Sequence, residues 1–311
     1  MTEFDTGIVF TQKDLSENLL ISEIVNPNIE IYSDGTKIRR NKYNAEFPES
    51  IDLKITNKCY KNCPFCHEES GPDGIFFCVD DAIKLLRHAP WPTEVAIGGG
   101  DPSLCCDEIN YMVRKLPNCI INVTLNYDKI REMDKIKANA FGLSLGNRYF
   151  IDDEVDILLE YTKKYDIVLH IIAGLTYSNE IYGLSGIFKK ILVLGYKEYG
   201  RGGEYFSRYT TEINTRMREL RENIVYMFKC IKETDDKFVL AFDNLAIDQL
   251  GILSKFYDQN DRCYMGHDGE YSMYIDLVDK KFGVNSTSSK IDIGNKSLYD
   301  MFGEIKNALQ N

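Results

Sequence analysis

From residue 51 to residue 242, short apolar runs rich in β-branched residues alternate with longer stretches of helical period. The runs fall at 51–56, 94–98, 120–125, 141–145, 167–172, 190–194 and 238–242, and the helical stretches at 79–88, 107–116, 128–138, 154–164 and 210–232. Repeated β-α units constrain a chain strongly, because a strand, a crossover and a parallel strand join in one hand. The alternation therefore predicts an α/β fold with a parallel sheet. In such sheets ligands gather at the carboxyl ends of the strands. The loops after Thr56, Gly98, Leu125, Leu145, Ile172 and Leu194 are expected around one mouth.

The flanks differ. Residues 1–50 read as a preface whose Asp34-Gly35, set between apolar runs, predicts a hairpin. Residues 51–250 carry the β-α array. In 251–311 an alternating run, Tyr271 to Val278, is followed by a second short strand and a final helix, which predicts a small α+β extension. The N-terminal stretch has neither the basic start nor the apolar run of a targeting peptide. Nor does any segment approach the ~18 apolar residues of a membrane helix. A cytoplasmic protein with no membrane partner is expected. The net charge of −11 disfavours nucleic acid, whose phosphates need clustered Lys and Arg. Arg216, Arg218 and Arg221 alternate with Glu219 and Glu222, as on a solvated helix face.

Nine cysteines, an odd and unevenly spaced set, do not suggest a disulfide framework in a reducing compartment. Cys59, Cys63 and Cys66 share one short segment after the first strand of the array, spaced Cys-x3-Cys-x2-Cys. Three thiolates on one loop suit three irons of a cubane, leaving the fourth iron open to a chelating cofactor. Other chemistry fits parts of the segment. Zinc would need a fourth ligand, for which Cys78 is available and His67, adjacent to Cys66, is badly placed. Cys63 to His67 also matches covalent haem attachment, and Cys63/Cys66 a redox dithiol that leaves Cys59 without a task.

With Phe65 before the last cysteine, the segment resembles the signature of the radical S-adenosylmethionine (SAM) superfamily. The resemblance implies a partial (β/α)6 TIM-like barrel and one 4Fe–4S cluster on Cys59, Cys63 and Cys66. It further implies SAM chelated at the open iron. Gly99-Gly100-Asp101-Pro102 resembles the family's Gly-Gly-Glu-Pro motif, with Asp in place of Glu, and implies contacts to the SAM ammonium. At later strand ends Asn126, Ser144, His170, Leu194 and Gly195 resemble further SAM contacts, each of which also suits an ordinary strand end. The chemistry implied is reductive cleavage of SAM to a 5′-deoxyadenosyl radical that abstracts hydrogen from a substrate. A flavodoxin or ferredoxin would supply the electron.

The segment from Arg262 to Gly266, the hairpin and Ser297 to Phe302 resemble the SPASM or twitch extension of peptide-modifying members. That implies a peptide or protein side chain as substrate, with a small metabolite or nucleoside as the other reading. The second hairpin strand, from Phe282 to Thr287, carries no cysteine, so no auxiliary cluster is expected. Cys105, Cys230 and Cys263 are weighed as hydrogen-atom donors against their role as small buried hydrophobes. Tyr196 to Gly203 reads as a loop at the mouth whose Lys197 and Arg201 would suit an anion.

Overall fold

The computed structural model describes residues 43–90, 92–147, 154–233, 239–252 and 266–310, with short strands before residue 40. In chain order the first elements are β1 (Ile8–Phe10), β2 (Leu19–Ile21), β3 (Ile29–Tyr32), β4 (Lys37–Arg39), β5 (Ser50–Thr56), α1 (Val79–Leu86), β6 (Thr93–Gly99) and α2 (Cys106–Lys115). Next come β7 (Cys119–Asn126), β8 (Ala140–Ser144), α3 (Val155–Lys164), β9 (Ile167–Ile172), α4 (Ser178–Ser185), β10 (Lys190–Leu194) and α5 (Arg201–Glu233). The chain closes with β11 (Val239–Phe242), α6 (Asn244–Leu250), β12 (Ser272–Asp276), β13 (Lys281–Gly283), β14 (Ile291–Asp292) and α7 (Leu298–Gln310). Two compact units share these elements.

The first unit holds residues 44–143, 197–207 and 267–311. Its strands β7, β6, β5 and β12 are parallel neighbours in that order. Hairpin strands β13 and β14 extend the sheet from β12 in antiparallel fashion. Alternation decides the faces. Ile51, Leu53 and Ile55 of β5, Val95 and Ile97 of β6, and Ile121 and Val123 of β7 are all buried on one side. Each such side chain contributes about 1.5–3 kcal/mol relative to exposure. The intervening residues Asp52, Lys54, Gly98, Asn122 and Thr124 occupy the other side. Helix α1 buries Ala82 and Leu86, and Asp80 and Asp81 in its first turn complement the helix dipole.

The second unit holds residues 1–43, 144–196 and 208–266. Here β9, β10 and β11 are parallel, and β1 lies antiparallel on β11. Strands β3 and β4 pair as the expected N-terminal hairpin, and β2 joins β3. The Asp34-Gly35 turn itself lies outside the described residues. Helix α6, which the apolar period did not indicate, starts where the Asp243 carboxylate accepts from Ala246 N at 2.7 Å. It stops at Gly251, whose φ of 57° suits glycine.

The α/β class read from the alternation is the class observed, with parallel central strands and helices between them. Some local expectations give way. Residues 127–135 form a 3-10 helix interrupted at Lys129 rather than an α-helix from 128. Helix α5 begins at Arg201, so Arg201-Gly202-Gly203 is a helical turn and not a loop, and the helix breaks at Tyr209. Arg216 is not on a purely solvated face. Its guanidinium donates to Leu175 O at 3.1 Å and to the Tyr177 hydroxyl, and lies 4.1 Å from the Tyr177 ring centroid.

Candidate metal centre

The cysteine loop joins β5 to α1 and is closed at its neck by backbone pairing. Cys59 N donates to Gly71 O at 2.8 Å, Gly71 N to Asn57 O at 3.1 Å, and Asp101 N to Lys58 O at 2.8 Å. Asn57 Oδ1 accepts from Ile75 N at 2.6 Å. A side chain at Gly74 would meet Asn57 O at 2.3 Å, so the two strands of the neck approach closely only because it is glycine. Between them the three cysteines follow a tight course. Cys66 N donates to Cys63 O at 3.3 Å, and Asn62 takes the left-handed conformation that asparagine tolerates.

Two further segments hold this loop. Arg201, opening α5, donates from Nε to Cys63 O at 3.1 Å and from Nη2 to Ser70 O at 2.9 Å. Gly202 admits this approach, since a Cβ there would lie 2.5 Å from Lys197 O and 3.1 Å from Phe65 O. The Phe65 ring meets Tyr205 edge-on at 6.1 Å. Lys197 donates to Ser286 Oγ at 2.7 Å. Lys197 and Arg201 thus hold chain segments, where an anion had been expected.

The thiols of Cys59, Cys63 and Cys66 are free of disulfides, Cys59 buried and the other two half-buried. Burial pushes the Cys63 thiol up; Lys61 opposes this, Cys66 and Cys59 add to it, and Arg201 opposes it. No three His, Cys, Asp or Glu side chains among the described residues converge tightly enough to hold a single metal ion. Zinc bonds of about 2.3 Å would draw thiolates to roughly 4 Å apart. A cubane puts each thiolate on its own iron, and three free thiols on one loop are donors of the kind it takes. Cys105 and Cys119 are different. Both are buried, and burial pushes each thiol up to about 12, with Glu108, Cys106 and Asp101 adding to it at Cys105.

The glycine-rich segment is built for close approach. A Cβ on Gly99 would meet Thr56 O, and one on Gly100 would meet Lys58 O, each at 2.3 Å. Gly100 N donates to Thr56 O at 2.7 Å. Gly98, in contrast, has nothing within 4 Å of where its Cβ would point. On the same face, opposite Ala96 and so diagonal to Gly98, lies Asn122, whose Oδ1 is buried without a partner. Space and an orphaned acceptor on one face fit a polar ligand such as SAM. Asp101 is buried and caps the 3-10 turn Pro102–Cys105, accepting from Ser103 N at 3.1 Å and Ser103 Oγ at 2.6 Å. Asn126 ends β7, half-buried.

The remaining positions expected at SAM belong to the second unit. Ser144 ends β8, half-buried. His170 sits in β9, and burial alone drives its imidazole down to about 4, hence neutral at physiological pH. Leu194 O accepts from Ala173 N at 2.8 Å, and Gly195 N donates to Asp243 Oδ1 at 2.9 Å. Cys263 lies outside the described residues, as does the Cys230 side chain.

One constellation was not foreseen. Lys54 on β5 is buried between Glu68 Oε2 at 2.8 Å and Asp276 Oδ2 at 3.0 Å. The Tyr274 hydroxyl donates to Glu68 Oε1 at 3.1 Å, and His67 Nε2 lies 3.4 Å from the same oxygen. Burial opposes the Lys54 charge, and Glu68 and Asp276 more than restore it. Burial would raise Glu68, but contacts with His67 and Lys54 hold its carboxyl well below the usual range. Burial drives His67 towards neutral, so Lys54 supplies the charge that keeps Glu68 ionised. The signal in the sequence was a lysine inside an apolar run, two residues before Thr56.

No family model matches the chain, and no curated protein matches it significantly. Among solved structures the crystal structure of SuiB from Streptococcus suis is similar, with a TM-score of 0.57 at 16% identity. The match covers 84% of this chain and 68% of that one. A likeness at this identity is one of fold, and it agrees with the α/β class, parallel central strands with helices between them.

Proposed function

We propose that this chain is a radical SAM enzyme, holding one 4Fe–4S cluster on Cys59, Cys63 and Cys66 and abstracting hydrogen from a peptide or protein side chain. The observation that carries this reading is the closed loop with three free thiols, placed directly after the first strand of the parallel array. The fold likeness to SuiB, itself a radical SAM enzyme, supports the general class. When bound, the cluster supplies the electron that splits SAM and so furnishes the 5′-deoxyadenosyl radical. The protein's own tasks are to bind, orient and exclude water. In this reading Gly99, Gly100, Asp101 and Pro102 shape the wall beside the cysteine loop. Gly98 and Asn122 leave a polar recess beside it. Asn126, at the end of β7 in the same unit, contributes a further SAM contact. A cytoplasmic flavodoxin or ferredoxin delivers the electron.

The test is anaerobic reconstitution with iron and sulfide, read by iron content, electron paramagnetic resonance after dithionite, and 5′-deoxyadenosine formation from SAM. Cys63→Ala is expected to lose all three signals, whereas Cys119→Ala, altering a buried apolar contact, keeps them. A chain that binds stoichiometric zinc and never cleaves SAM would overturn the proposal.

A further inference from the structure

The last cysteine of the loop is followed by His67 and Glu68, and Glu68 is the residue through which the loop is tied to the sheet. Its carboxylate is bound on one side by Lys54 of β5 at 2.8 Å and on the other by the Tyr274 hydroxyl of β12 at 3.1 Å. Lys54 is in turn bound by Asp276 of β12 at 3.0 Å. Strands β5 and β12 are parallel partners with Lys54 directly opposite Asp276, and Leu277 N donates to Lys54 O at 3.0 Å. Side chains of Lys54 and Asp276 are each 8% exposed and that of Glu68 14%. Charges so far from water are held only if every partner is in place, and they transmit a displacement of one member to the others.

We propose that Tyr274 and Asp276 are positioning residues for the cysteine loop, acting through Lys54 and Glu68. The C-terminal strand β12 thereby sets where the Cys66 end of the loop stands. Strand β12 is thus more than an added sheet edge, because two of its side chains brace the loop. The inference rests on the cluster reading above. It assigns β12 a role that needs no auxiliary cluster and no contact with substrate.

The experiment compares the wild type with Tyr274→Phe, Asp276→Asn and, as a control in the same C-terminal segment, Glu304→Gln on α7. Each is reconstituted anaerobically, shown to be folded by circular dichroism, and challenged with an iron chelator. Loss of a charge-assisted contact is expected to speed iron release from Asp276→Asn about tenfold. The resonance spectrum of its reduced cluster should change as well. Tyr274→Phe should change both in the same direction but less, and Glu304→Gln neither. Should Asp276→Asn fail to fold, Tyr274→Phe alone decides. If the wild type takes up a cluster and Tyr274→Phe and Asp276→Asn release iron at its rate with its spectrum, the positioning role is wrong and the cluster reading stands. If the wild type takes up none, both fall.

Discussion

The two faces of β12, β5, β6 and β7 are made by alternate residues of the same strands, yet they follow opposite rules. On one face Ile51, Ile55, Val95, Ile97 and Val123 have no exposed surface. On the other, Lys54 is neutralised by two carboxylates, Gly98 faces open space and Asn122 leaves an acceptor unpaired. Strands of a parallel sheet covered on both sides usually read as continuous hydrophobic runs. Period-two alternation in a parallel sheet therefore marks a face kept for something other than packing. The three-cysteine loop leaves β5 where that strand ends.

The sharpest break of this contrast is Lys54→Met. It strands Glu68 and Asp276 as buried carboxylates, and a loss of about 3–5 kcal/mol is expected. Urea unfolding would show it; a loss below about 1 kcal/mol would mean the polar face is no more than wet surface. Neighbours on opposite faces come next. Ile97→Ala should cost about 2–5 kcal/mol by leaving a cavity. Gly98→Leu should leave unfolding nearly unchanged while weakening SAM binding to the reconstituted protein, as measured by equilibrium dialysis. Equal destabilisation by both would erase the distinction between the faces.

The second unit offers a milder test. His170 is driven down to about 4 by burial, so below its free value of 6.5 the unfolded chain binds a proton that the folded chain refuses. Its contribution is complete above pH 6.5 and is lost as pH falls towards 4, at most about 3 kcal/mol for a side chain that is half-buried. His170→Leu should flatten stability over that window, and an unaltered pH profile would show that another group governs it. Smallest is Lys61→Gln. Lys61 pairs with Asp128 at 2.7 Å, but both are partly exposed, and a change of under about 1 kcal/mol is expected in the same unfolding assay.

Much of this was legible because its signals are local. The β-α alternation, the hairpin strands β12 and β13 and the cysteine spacing each lie within a few residues of chain. Helix α6 was equally local, with Asp243 before it and Gly251 after it, but at Asn244–Leu250 it is too short to display a helical period. The start of α5 misled for another reason. Two glycines argue against helix by propensity, and here Gly202 is what lets the helix reach the Phe65 carbonyl. Arg201 and Lys197, by charge alone, looked available to an anion. Their partners come from other segments of the chain.

Local pattern by itself determined that this chain would form parallel strands with helices between them and would gather three thiols on the first loop, since strand period and cysteine spacing act over neighbouring residues. Which charges could be buried was a tertiary decision. Lys54 is stable inside the unit only because Glu68 and Asp276, from a loop and from the C-terminal strand, meet it there. A charge taken out of water survives by its partners, and no stretch of neighbouring residues reveals who those partners are.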